Sequence, residues 1–584
     1  MHRSLLPSTA AVFLLLAACS SPSAVDSLPT PSQVVIPSSP SPAAATTGPL
    51  VASSVWIGPS VPALLREHTL AGGWPLAPDA SSDSLQVDIA QPLPGALNLS
   101  TWIYALVAPF PTVTDGVSAR ELRDGWSGAT TGAFAGRPLL MDESTLAAFT
   151  LLWGPPGPGS VRTLPADQLQ EQAWADMPAW AIVPFEQLSP RWKVLSIDGA
   201  SPIHKDFNAA NYPLVAYFRL HTAAPLDFSL PQTNRDPEKL TTVLLTGVTA
   251  LVRATAYTME VKGVLYPGRD IRAWMLEADI AHVSNEIPFY SGCGPPNPSQ
   301  SKLVFCSSPR YIDLLTDIGT DVVELTGNHF GDYGTAAMLE TLAMYNERGI
   351  PYYGGGADRA DAQKPLLLED HGNKIAFIGC NPPDTGKFPT ATDTRPGAAP
   401  CDFDYMTAQI RALHDQGYVV ITTFQYFEYY SPEARPWQQD DFRLMADAGA
   451  SIVSGSQAHY AQVMEFDGDS FIHYGLGNLF FDQMGDVPLI NGIRREFHDR
   501  HVIYDGKYVS TELLTSMLED YSRPRPMTPE ERASFLAEYF VESGWLEYKP
   551  APTAEPTATL TPLSLPPLVG SAGGFLPETP TATP

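Results

Sequence analysis

The sequence predicts an α/β protein with largely parallel strands, and three observations along residues 240–500 support this fold class. Short runs of β-branched residues, such as 418-YVVITTF-424, follow stretches with the amphipathic period of a helix. These runs are apolar throughout, which is typical of strands buried on both faces of a sheet. Strand and helix patterns alternate, as in right-handed βαβ units. Because 584 residues are too many for one core, we expect two or three domains.

The second part of the sequence, residues 240–548, carries most of the regular pattern. The predicted strands are residues 240–245, 280–284, 321–325, 374–379, 418–424 and 451–454, and the predicted helices are residues 269–276, 309–318, 335–346, 403–414 and 436–446. In open α/β sheets, ligands bind outside the carboxyl ends of the strands. The loops that follow these strands are therefore where we expect a functional site.

The first part, residues 51–235, mixes strands and helices less regularly. A capping box of Ser118 and Glu121 predicts one helix start. The segments 117-VSARELRDGWSG-128 and 181-AIVPFEQLSPRWKVLSIDGASP-202 resemble the type 2 periplasmic solute-binding domains. This resemblance implies an α/β domain of two lobes with a ligand cleft. Because no anion-binding cluster is recognisable, the ligand stays open, and a generic α/β spacer is the alternative.

Both ends of the chain are predicted to lie outside the folded domains. Residues 1–19 carry an Arg, an apolar run and small residues before Cys19, as a secretory signal does. The sequence Leu-Ala-Ala-Cys at its end resembles a bacterial lipobox, which implies acylation of Cys19 and export to the outer face of the bacterial cell membrane. A plain secretory peptide is the alternative. Residues 20–50 predict a flexible Pro/Ser-rich linker, and residues 549–584 a disordered Pro/Thr-rich tail.

The charge composition narrows the classes of partner. The chain has 35 Lys and Arg against 63 Asp and Glu, a formal charge of −28. Binding to a phosphate backbone needs clustered Lys and Arg, and the sequence shows no such cluster. This argues against a nucleic-acid partner. The acidity is typical of a soluble, exported surface.

Cysteine usage predicts disulfides. Apart from Cys19, the chain has an even set of four cysteines, which in an oxidising compartment indicates disulfide bonds: Cys293, Cys306, Cys380 and Cys401. Three connectivities are possible. We favour Cys293–Cys306 and Cys380–Cys401, because each pair closes a short loop rich in Gly, Pro and Ser. A zinc site is less favoured, since no CxxC spacing occurs.

Three motifs in the second part follow predicted strands in a fixed order: 284-SNEIP-288, 328-NHFGDYG-334 and 474-YGLGNLFFD-482. In this order they resemble the CapA-like family of capsule and poly-γ-glutamate synthesis proteins, over about residues 242–482. The resemblance implies a metallophosphatase-type α/β sandwich, divalent metal held by loops after successive strands, and a capsule or cell-envelope polymer as partner. In such sites the metal polarises a phosphoryl oxygen and lowers the pKa of bound water.

Several positions depart from the family pattern. Val248 stands where the family has a metal-binding Asp, and Gln425 and Gln457 stand where it has His. Tyr429 replaces a Glu of the family. Glu428 is one residue out of register, and a one-residue slip at a strand end points a side chain to the other face. We therefore expect that Glu428 does not replace the missing ligand.

The remaining ligand candidates are Glu286, Asn328 and His459, and the resemblance makes His329 the catalytic acid. A hard dication without a bridging carboxylate binds poorly. These residues therefore imply one weakly held divalent metal (Mn, Fe, Zn or Mg) or none. Whether the protein is an enzyme stays open.

The other candidate site residues lie in the same loops. Gln425, Gln457 and Asn285 belong to the motifs, Gly477 is expected to serve the backbone, and Asn478 to hydrogen-bond loops. Asp332 is expected to cap the helix that starts at residue 335 or to order its loop. Other positions are not assigned to the site. His282 and His473 alternate with apolar neighbours and are expected to be packed histidines. The aromatic run 424–430 is compatible with lining a pocket or with packing in the core.

Three functions are compatible with these observations. The first is a lipid-anchored envelope protein with an eroded metal site and a binding or accessory role in handling capsule or cell-envelope polymer. The second is an active metal-dependent phosphoesterase or amide hydrolase of the envelope. The third is a ligand sensor or transport accessory that acts through residues 51–235.

Overall fold

The computed structural model describes residues 54–81, 84–90, 99–222, 226–382, 390–484 and 491–547. The predicted signal peptide with Cys19, the linker of residues 20–50 and the tail of residues 549–584 lie outside the described residues. Within the part that is described, no helix is both long and apolar enough to cross a membrane.

The first part is built on one mixed sheet with four helices, which confirms its predicted α/β class. Its elements are β1 (Val55–Ile57), α1 (Ala63–Leu70), β2 (Leu85–Ile89), β3 (Leu99–Pro109), β4 (Gly116–Val117), α2 (Ala119–Trp126), β5 (Leu139–Met141), α3 (Glu143–Trp153), β6 (Val161–Thr163), α4 (Leu169–Ala175), β7 (Trp180–Pro184), β8 (Trp192–Ile197) and β9 (Val215–His221). The strand order is β1-β2-β9-β3-β7-β5-β6, and β8 joins β4 to β3.

The long strand β3 joins the two halves of this sheet. Its first half, Leu99–Ile103, pairs with β9, and its second half pairs with β7 and β8. The helix α2 begins as predicted: the Ser118 hydroxyl accepts a hydrogen bond from the Glu121 N–H, and the Glu121 carboxylate accepts one from the Ser118 N–H at 2.8 Å.

The second part contains two sheets and eight helices in the described ranges. Its elements are β10 (Leu240–Leu245), β11 (Val248–Thr249), α5 (Arg253–Lys262), α6 (Arg272–Glu277), β12 (Ile280–Asn285), α7 (Ile312–Asp317), β13 (Val322–Glu324), α8 (Gly334–Arg348), β14 (Tyr352–Tyr353), β15 (Gly355–Gly356), α9 (Arg359–Ala362), β16 (Leu366–Asp370), β17 (Asn373–Cys380), β18 (Gly397–Ala398), α10 (Phe403–His414), β19 (Val419–Phe424), α11 (Pro436–Asp447), β20 (Ile452–Gly455), β21 (Met464–Asp467), β22 (Ser470–His473), β23 (Asn478–Phe480), β24 (Arg495–Tyr504), β25 (Lys507–Glu519), β26 (Arg523–Pro526) and α12 (Pro529–Glu542). A small ribbon, β15 with β18, stands apart from the two sheets.

Both sheets have a parallel centre, as predicted. One sheet has the order β14-β13-β12-β10-β24-β25-β26, and β14, β13, β12 and β10 run parallel. The other has the order β16-β17-β19-β20-β22-β21, and β17, β19, β20 and β22 run parallel. The strands predicted from β-branched runs are among these central strands, which are apolar on both faces.

The two sheets face each other across one apolar layer, and helices cover their outer faces. The inner layer joins Val243 and Leu245 of the first sheet to Phe377 and Ile421 of the second. On the outer faces, α5, α7 and α8 pack on the first sheet, and α10 and α11 pack on the second. This is the predicted α/β sandwich. It brings the carboxyl ends of both sets of parallel strands to one edge.

The C-terminal hairpin of β24 and β25 was not predicted, and it links the two parts of the chain. β24 pairs antiparallel with β10 and with β25. Val502 and Val509 of this hairpin belong to the hydrophobic core of the first part, together with Leu240. From residue 51 onward the chain forms one compact unit, so the domain boundary placed at residues 235–240 stays a prediction.

Both predicted disulfides are confirmed. Cys293 is bonded to Cys306 and Cys380 to Cys401. The first pair closes the loop after β12, and the second ties the end of β17 to the start of α10. Both cross-links therefore lie in loops at the carboxyl ends of the parallel strands.

Glu186 makes the stability of the first part depend on pH. Burial raises the pKa of Glu186 to about 7, although hydrogen bonds from Asn234 and Trp102 to its carboxylate oppose the shift. A folded-state pKa above the unfolded value contributes stability that is lost as the pH rises between these two values. We expect the free energy of unfolding to fall from about pH 4.5 to 7, by at most about 1.4 kcal/mol per pH unit.

The measurement is urea unfolding at several pH values for the wild type and Glu186→Gln. The variant cannot titrate, so its stability relative to wild type is expected to increase with pH across this window. Glu67→Gln, at an exposed glutamate of α1, is the control and should follow the wild type. Parallel pH profiles for wild type and Glu186→Gln would contradict this account.

Candidate functional site

Loops from both sheets meet at the carboxyl edge of the sandwich. Ser284 at the end of β12 and Ser456 after β20 are hydrogen-bonded through their hydroxyls at 3.2 Å. The Asn328 N–H, in the loop after β13, donates to Gln425 Oε1, after β19, at 2.8 Å. Because these strands end at the same edge, motifs separated by about a hundred residues become neighbours.

Glu286 and His459 form the buried centre of this site. His459 Nε2 lies 3.7 Å from Glu286 Oε1, and both side chains are at most 3% exposed. His459 has a left-handed backbone, with φ of 51°, and its Nδ1 is hydrogen-bonded to Asn478 Oδ1 at 2.8 Å. Since Asn478 occupies Nδ1, the ring presents Nε2 to Glu286.

His329 lies nearer the surface and is oriented by Asp332. His329 Nδ1 is 2.7 Å from Asp332 Oδ2, which also accepts a hydrogen bond from the Phe305 N–H at 2.7 Å. The helix α8 begins at Gly334 with Tyr333 at its N-cap and no side-chain cap. Asp332 therefore does not cap this helix. Asp332 instead links the loop of Gly327, Asn328 and His329 (the GNH loop) to the loop that the Cys293–Cys306 disulfide closes.

Several buried polar atoms at this edge have no hydrogen-bond partner among the described residues. They come from consecutive site loops: Thr249 Oγ1, Asn285 Oδ1, Glu286 Oε2, Asn328 Oδ1, Gln425 Nε2 and Gln457 Oε1. Buried polar atoms in native proteins are nearly always paired, and leaving one unpaired costs about 1–3 kcal/mol. The partners of these atoms must come from outside the protein, as ordered water or as a polar ligand.

Thr249 was missed by the sequence reasoning. It pairs in register with Asn285 across β11 and β12, so its hydroxyl joins the same edge. The available signal was its position directly after Val248, in the motif where the family binds metal. A threonine next to a valine is typical of any strand. Only the register of the two strands shows that Thr249 lies beside Asn285.

Comparison with known proteins agrees with this geometry. Residues 242–483 match the family model described as bacterial capsule synthesis protein PGA_cap. These residues are similar to the PGA_cap family, and the match covers less than half of the chain. Over 178 residues the chain is 28% identical to the PGA biosynthesis protein CapA of Bacillus subtilis (strain 168), covering 30% of this chain and 47% of that protein.

A second relative and a solved structure extend the comparison. The capsule biosynthesis protein CapA of Bacillus anthracis is 25% identical over 261 residues, covering 43% of this chain and 62% of that protein. The chain therefore spans about half to three-fifths of the length of these relatives. The structure of the Haemophilus influenzae NAD nucleotidase has 10% identity and a TM-score of 0.29, with 52% of this chain and 56% of that chain covered.

The structure places the positions that depart from the expected family pattern at this same edge. Val248 is fully buried and pairs in register with Ser284, at the position of the family's Asp. Gln425 is equally buried, and its oxygen accepts the Asn328 N–H. This hydrogen bond also decides the orientation of the amide, because the backbone N–H needs an acceptor. Gln425 thus links two loops where a family His would bind metal.

Neighbouring side chains do not restore the lost groups. Glu428 is exposed and hydrogen-bonded to Tyr430, as expected for a residue out of register. Tyr429 stacks with the Arg435 guanidinium at 3.6 Å. The aromatic run divides accordingly, with Phe424 and Tyr426 buried and the following aromatic positions more exposed. His282 and His473, which were expected to be packed, are both buried.

The structure brings two of the predicted metal ligands, Glu286 and His459, within 3.7 Å of each other. A single site could draw on Glu286 Oε2, Asn328 Oδ1 and His459 Nε2, of which the two oxygens are unpaired. Two dications need a bridging carboxylate, and Val248 removes it. Elsewhere in the described chain, Asp279, Asp370 and His371 come close enough to hold a metal ion.

That second cluster lies away from the site. Asp279 directly precedes β12, so it stands at the amino end of the strand whose carboxyl end carries Glu286. Its carboxylate is already occupied by the Thr242 N–H at 2.8 Å and by Lys205 at 2.8 Å. These contacts balance the charge of the Asp279 carboxylate. The cluster is therefore not part of the site at the carboxyl edge.

Glycines allow the site loops to approach closely. A Cβ on Gly247 would lie 2.1 Å from the Gly477 carbonyl oxygen. A Cβ on Gly327 would lie 2.2 Å from the backbone carbonyl oxygen of Glu286. Gly477 itself has a φ of 87°, which side chains rarely adopt. The backbone contact at Gly327 places Glu286 against the loop that carries Asn328.

Proposed function

We propose that this protein is a lipid-anchored accessory protein of the bacterial cell envelope that binds, without cleaving, an amide-linked capsule polymer of the poly-γ-glutamate kind. The observation that carries the proposal is the set of unpaired polar atoms at the carboxyl edge of the sandwich. Four of the six belong to carboxamide side chains. The family match and the names of the relatives support the class of polymer.

Carboxamides suit a polymer backbone made of amides. Each Asn or Gln offers both acceptor and donor atoms, as an amide bond does. Unpaired oxygens of Asn285, Asn328 and Gln457 can accept from polymer N–H groups, and Gln425 Nε2 can donate to a polymer carbonyl. A site that hydrogen-bonds its ligand this way rejects ligands that lack the partner groups, because its buried atoms would stay unpaired.

A bound cation is compatible with this function. Glu286, Asn328 and His459 would hold it, and it would polarise a carbonyl or phosphoryl oxygen of the bound molecule. Without the family's Asp at Val248, the chain lacks the groups to hold a second metal against the first. Binding of the polymer therefore depends on the hydrogen-bonding atoms and does not require the metal.

Attachment to the membrane would place this site near newly exported polymer. The lipobox-like residues before Cys19 support acylation, and residues 20–50 are rich in Pro and Ser. A flexible linker of this length has an average reach on the order of 30 Å. The folded part would thus stay close to the outer face of the membrane without being rigidly fixed to it.

A second candidate is a metal-dependent phosphoesterase or amide hydrolase with one metal. The observation that favours it is the pair of His329 and Asp332, in which the carboxylate holds one ring nitrogen at 2.7 Å. A histidine oriented in this way can deliver a proton to a leaving group. This candidate requires stoichiometric metal at Glu286, Asn328 and His459.

Calorimetric titration of the full chain with a poly-γ-glutamate oligomer tests the proposal. We expect binding, and we expect Gln457→Ala to weaken it about tenfold, because a buried hydrogen bond of about 1.4 kcal/mol is lost. Gln457 is chosen because, unlike Gln425, its oxygen has no structural partner among the described residues. Gln416→Ala, at an exposed glutamine, is the matched control and should bind as wild type.

Two outcomes would overturn the proposal. The first is the absence of oligomer binding by the wild-type chain. The second is stoichiometric Mn, Fe, Zn or Mg in the purified protein, together with phosphodiester or amide hydrolysis that is lost in Asn328→Ala. The second outcome would establish the hydrolase.

A further inference from the structure

Arg253 is a positively charged residue next to the site, and neither candidate function assigns it a role. It is the first residue of α5 and has a left-handed backbone, with φ of 47°. Its Nε donates to Asp482 Oδ1 at 3.0 Å, and its Nη2 donates to the same oxygen. The other oxygen of Asp482 accepts the Ala254 N–H at 2.9 Å. One carboxylate thus fixes both the backbone and the side chain of this arginine.

Two phenylalanine rings hold the guanidinium and connect it to the site histidines. The Arg253 Cζ lies 5.1 Å from the Phe305 ring and 4.9 Å from the Phe481 ring. The centroids of the Phe305 and His329 rings are 4.6 Å apart, and those of the Phe481 and His459 rings are 5.0 Å apart. The cation is therefore positioned between the two histidines of the site, one ring away from each.

One edge of the guanidinium remains available. Within the described residues, Arg253 Nη1 has no hydrogen-bond acceptor, and it is not sealed from solvent. The side chain as a whole is 16% exposed. A guanidinium has five N–H donors in a planar fork, so a fork that uses Nε and Nη2 internally still offers N–H groups to a ligand.

A cavity is lined by residues that neighbour Arg253 in the sequence, although Arg253 itself does not line it. A cavity of about 100 Å³ is lined by Val252 and Ala256, on either side of Arg253 in the chain, and by Tyr333 and the loop of Cys293 and Cys306. The cavity adjoins the same elements that carry Arg253 and the GNH loop.

We propose that Arg253 is a specificity-determining residue that binds the pendant carboxylate of the polymer. This inference rests on the proposed function and adds the ligand's charge to it: the carboxamides take the backbone amide, and Arg253 takes the side-chain carboxylate. An arginine fork matches carboxylate geometry, and partial burial between two rings strengthens the charged hydrogen bond. Asp482 balances the charge of the guanidinium, but the N–H groups that it leaves free still donate more strongly to a carboxylate than to a neutral amide.

The test compares two oligomers with the same γ-linked backbone, one of glutamate and one of glutamine, by calorimetric titration of the full chain. The wild type is expected to bind the glutamate oligomer about tenfold more tightly, and Arg253→Met is expected to remove this preference while binding to the glutamine oligomer is retained. Arg253→Lys keeps the charge without the fork and should show an intermediate preference. It also provides the measurement if Arg253→Met does not fold.

Arg443→Met is the matched control, because Arg443 is likewise engaged by one carboxylate, Glu465, but lies far along the chain on the exposed face of α11. Its preference should equal that of wild type. Equal affinity of the wild type for both oligomers, or an equal loss of both in the Arg253 variants, would overturn the role of Arg253 and leave the proposed function standing. Failure of the wild type to bind either oligomer would overturn both.

Discussion

Replacing Asp482 by alanine is expected to lower the free energy of unfolding by about 3–5 kcal/mol. Asp482 is 7% exposed and accepts hydrogen bonds from the Arg253 side chain and from the Ala254 N–H. Removing it leaves an uncompensated guanidinium between two phenyl rings and an unsatisfied donor in the first turn of α5. Loss of a mostly buried ion-pair partner costs this much because the remaining guanidinium, whose side chain is only 16% exposed, is poorly solvated by water.

Urea unfolding followed by circular dichroism measures the effect. Asp393→Ala is the control: it also removes a carboxylate that binds an arginine, but Arg359 and Asp393 are 50% and 84% exposed. Exposed pairs contribute about 0–1 kcal/mol, so the control should be nearly neutral. A double-mutant cycle with Arg253→Met isolates the pair. If Asp482→Ala costs no more than Asp393→Ala, the proposed stabilisation by the Asp482–Arg253 ion pair is wrong.

Replacing Gly327 by alanine is expected to cost about 3 kcal/mol or more and to abolish binding of the polymer oligomer. The added Cβ would lie 2.2 Å from the Glu286 carbonyl oxygen and 2.6 Å from its Cα. Both are backbone atoms, so no rotation of a side chain relieves the contact. The loop that carries Asn328 must move away from Glu286, and the site then loses its arrangement.

Two measurements separate the parts of this prediction. Denaturant unfolding gives the loss of stability, and titration below the unfolding midpoint gives the loss of binding. Gly294→Ala is the control for stability, because its Cβ would meet nothing within 4 Å and its change should lie within about 0.5 kcal/mol. A Gly327→Ala variant with wild-type stability and binding would contradict the close approach of these two loops.

Sequence patterns predicted the central parallel strands well. The strand at residues 240–245 and the helix at residues 403–414 were predicted at the limits that the structure has. These elements are apolar on both faces or clearly amphipathic, so their local pattern alone carries the information. The disulfide pairs followed from loop length in the same way.

The C-terminal hairpin escaped prediction for a physical reason. β24 reads REFHDRHVIY and contains charged and histidine residues at buried positions. Such a stretch does not look like a core strand, because burial of these groups is tolerated only where partners exist. The partners come from other elements: His473 holds Asp499 at 2.6 Å, and Glu512 holds Arg500 at 2.8 Å.

The sequence by itself predicted the family resemblance of residues 242–482, the order of the site loops and the departures from the family pattern at Val248, Gln425 and Gln457. These properties belong to the residue types and need no neighbour to be known. Only the tertiary structure decided what the remaining polar atoms do. Asn328 and Gln425 are 97 residues apart and share a hydrogen bond, while Thr249 and Arg253 reach the site through strand register and ring packing. Whether a buried atom is paired depends on such distant contacts, and local sequence does not contain them.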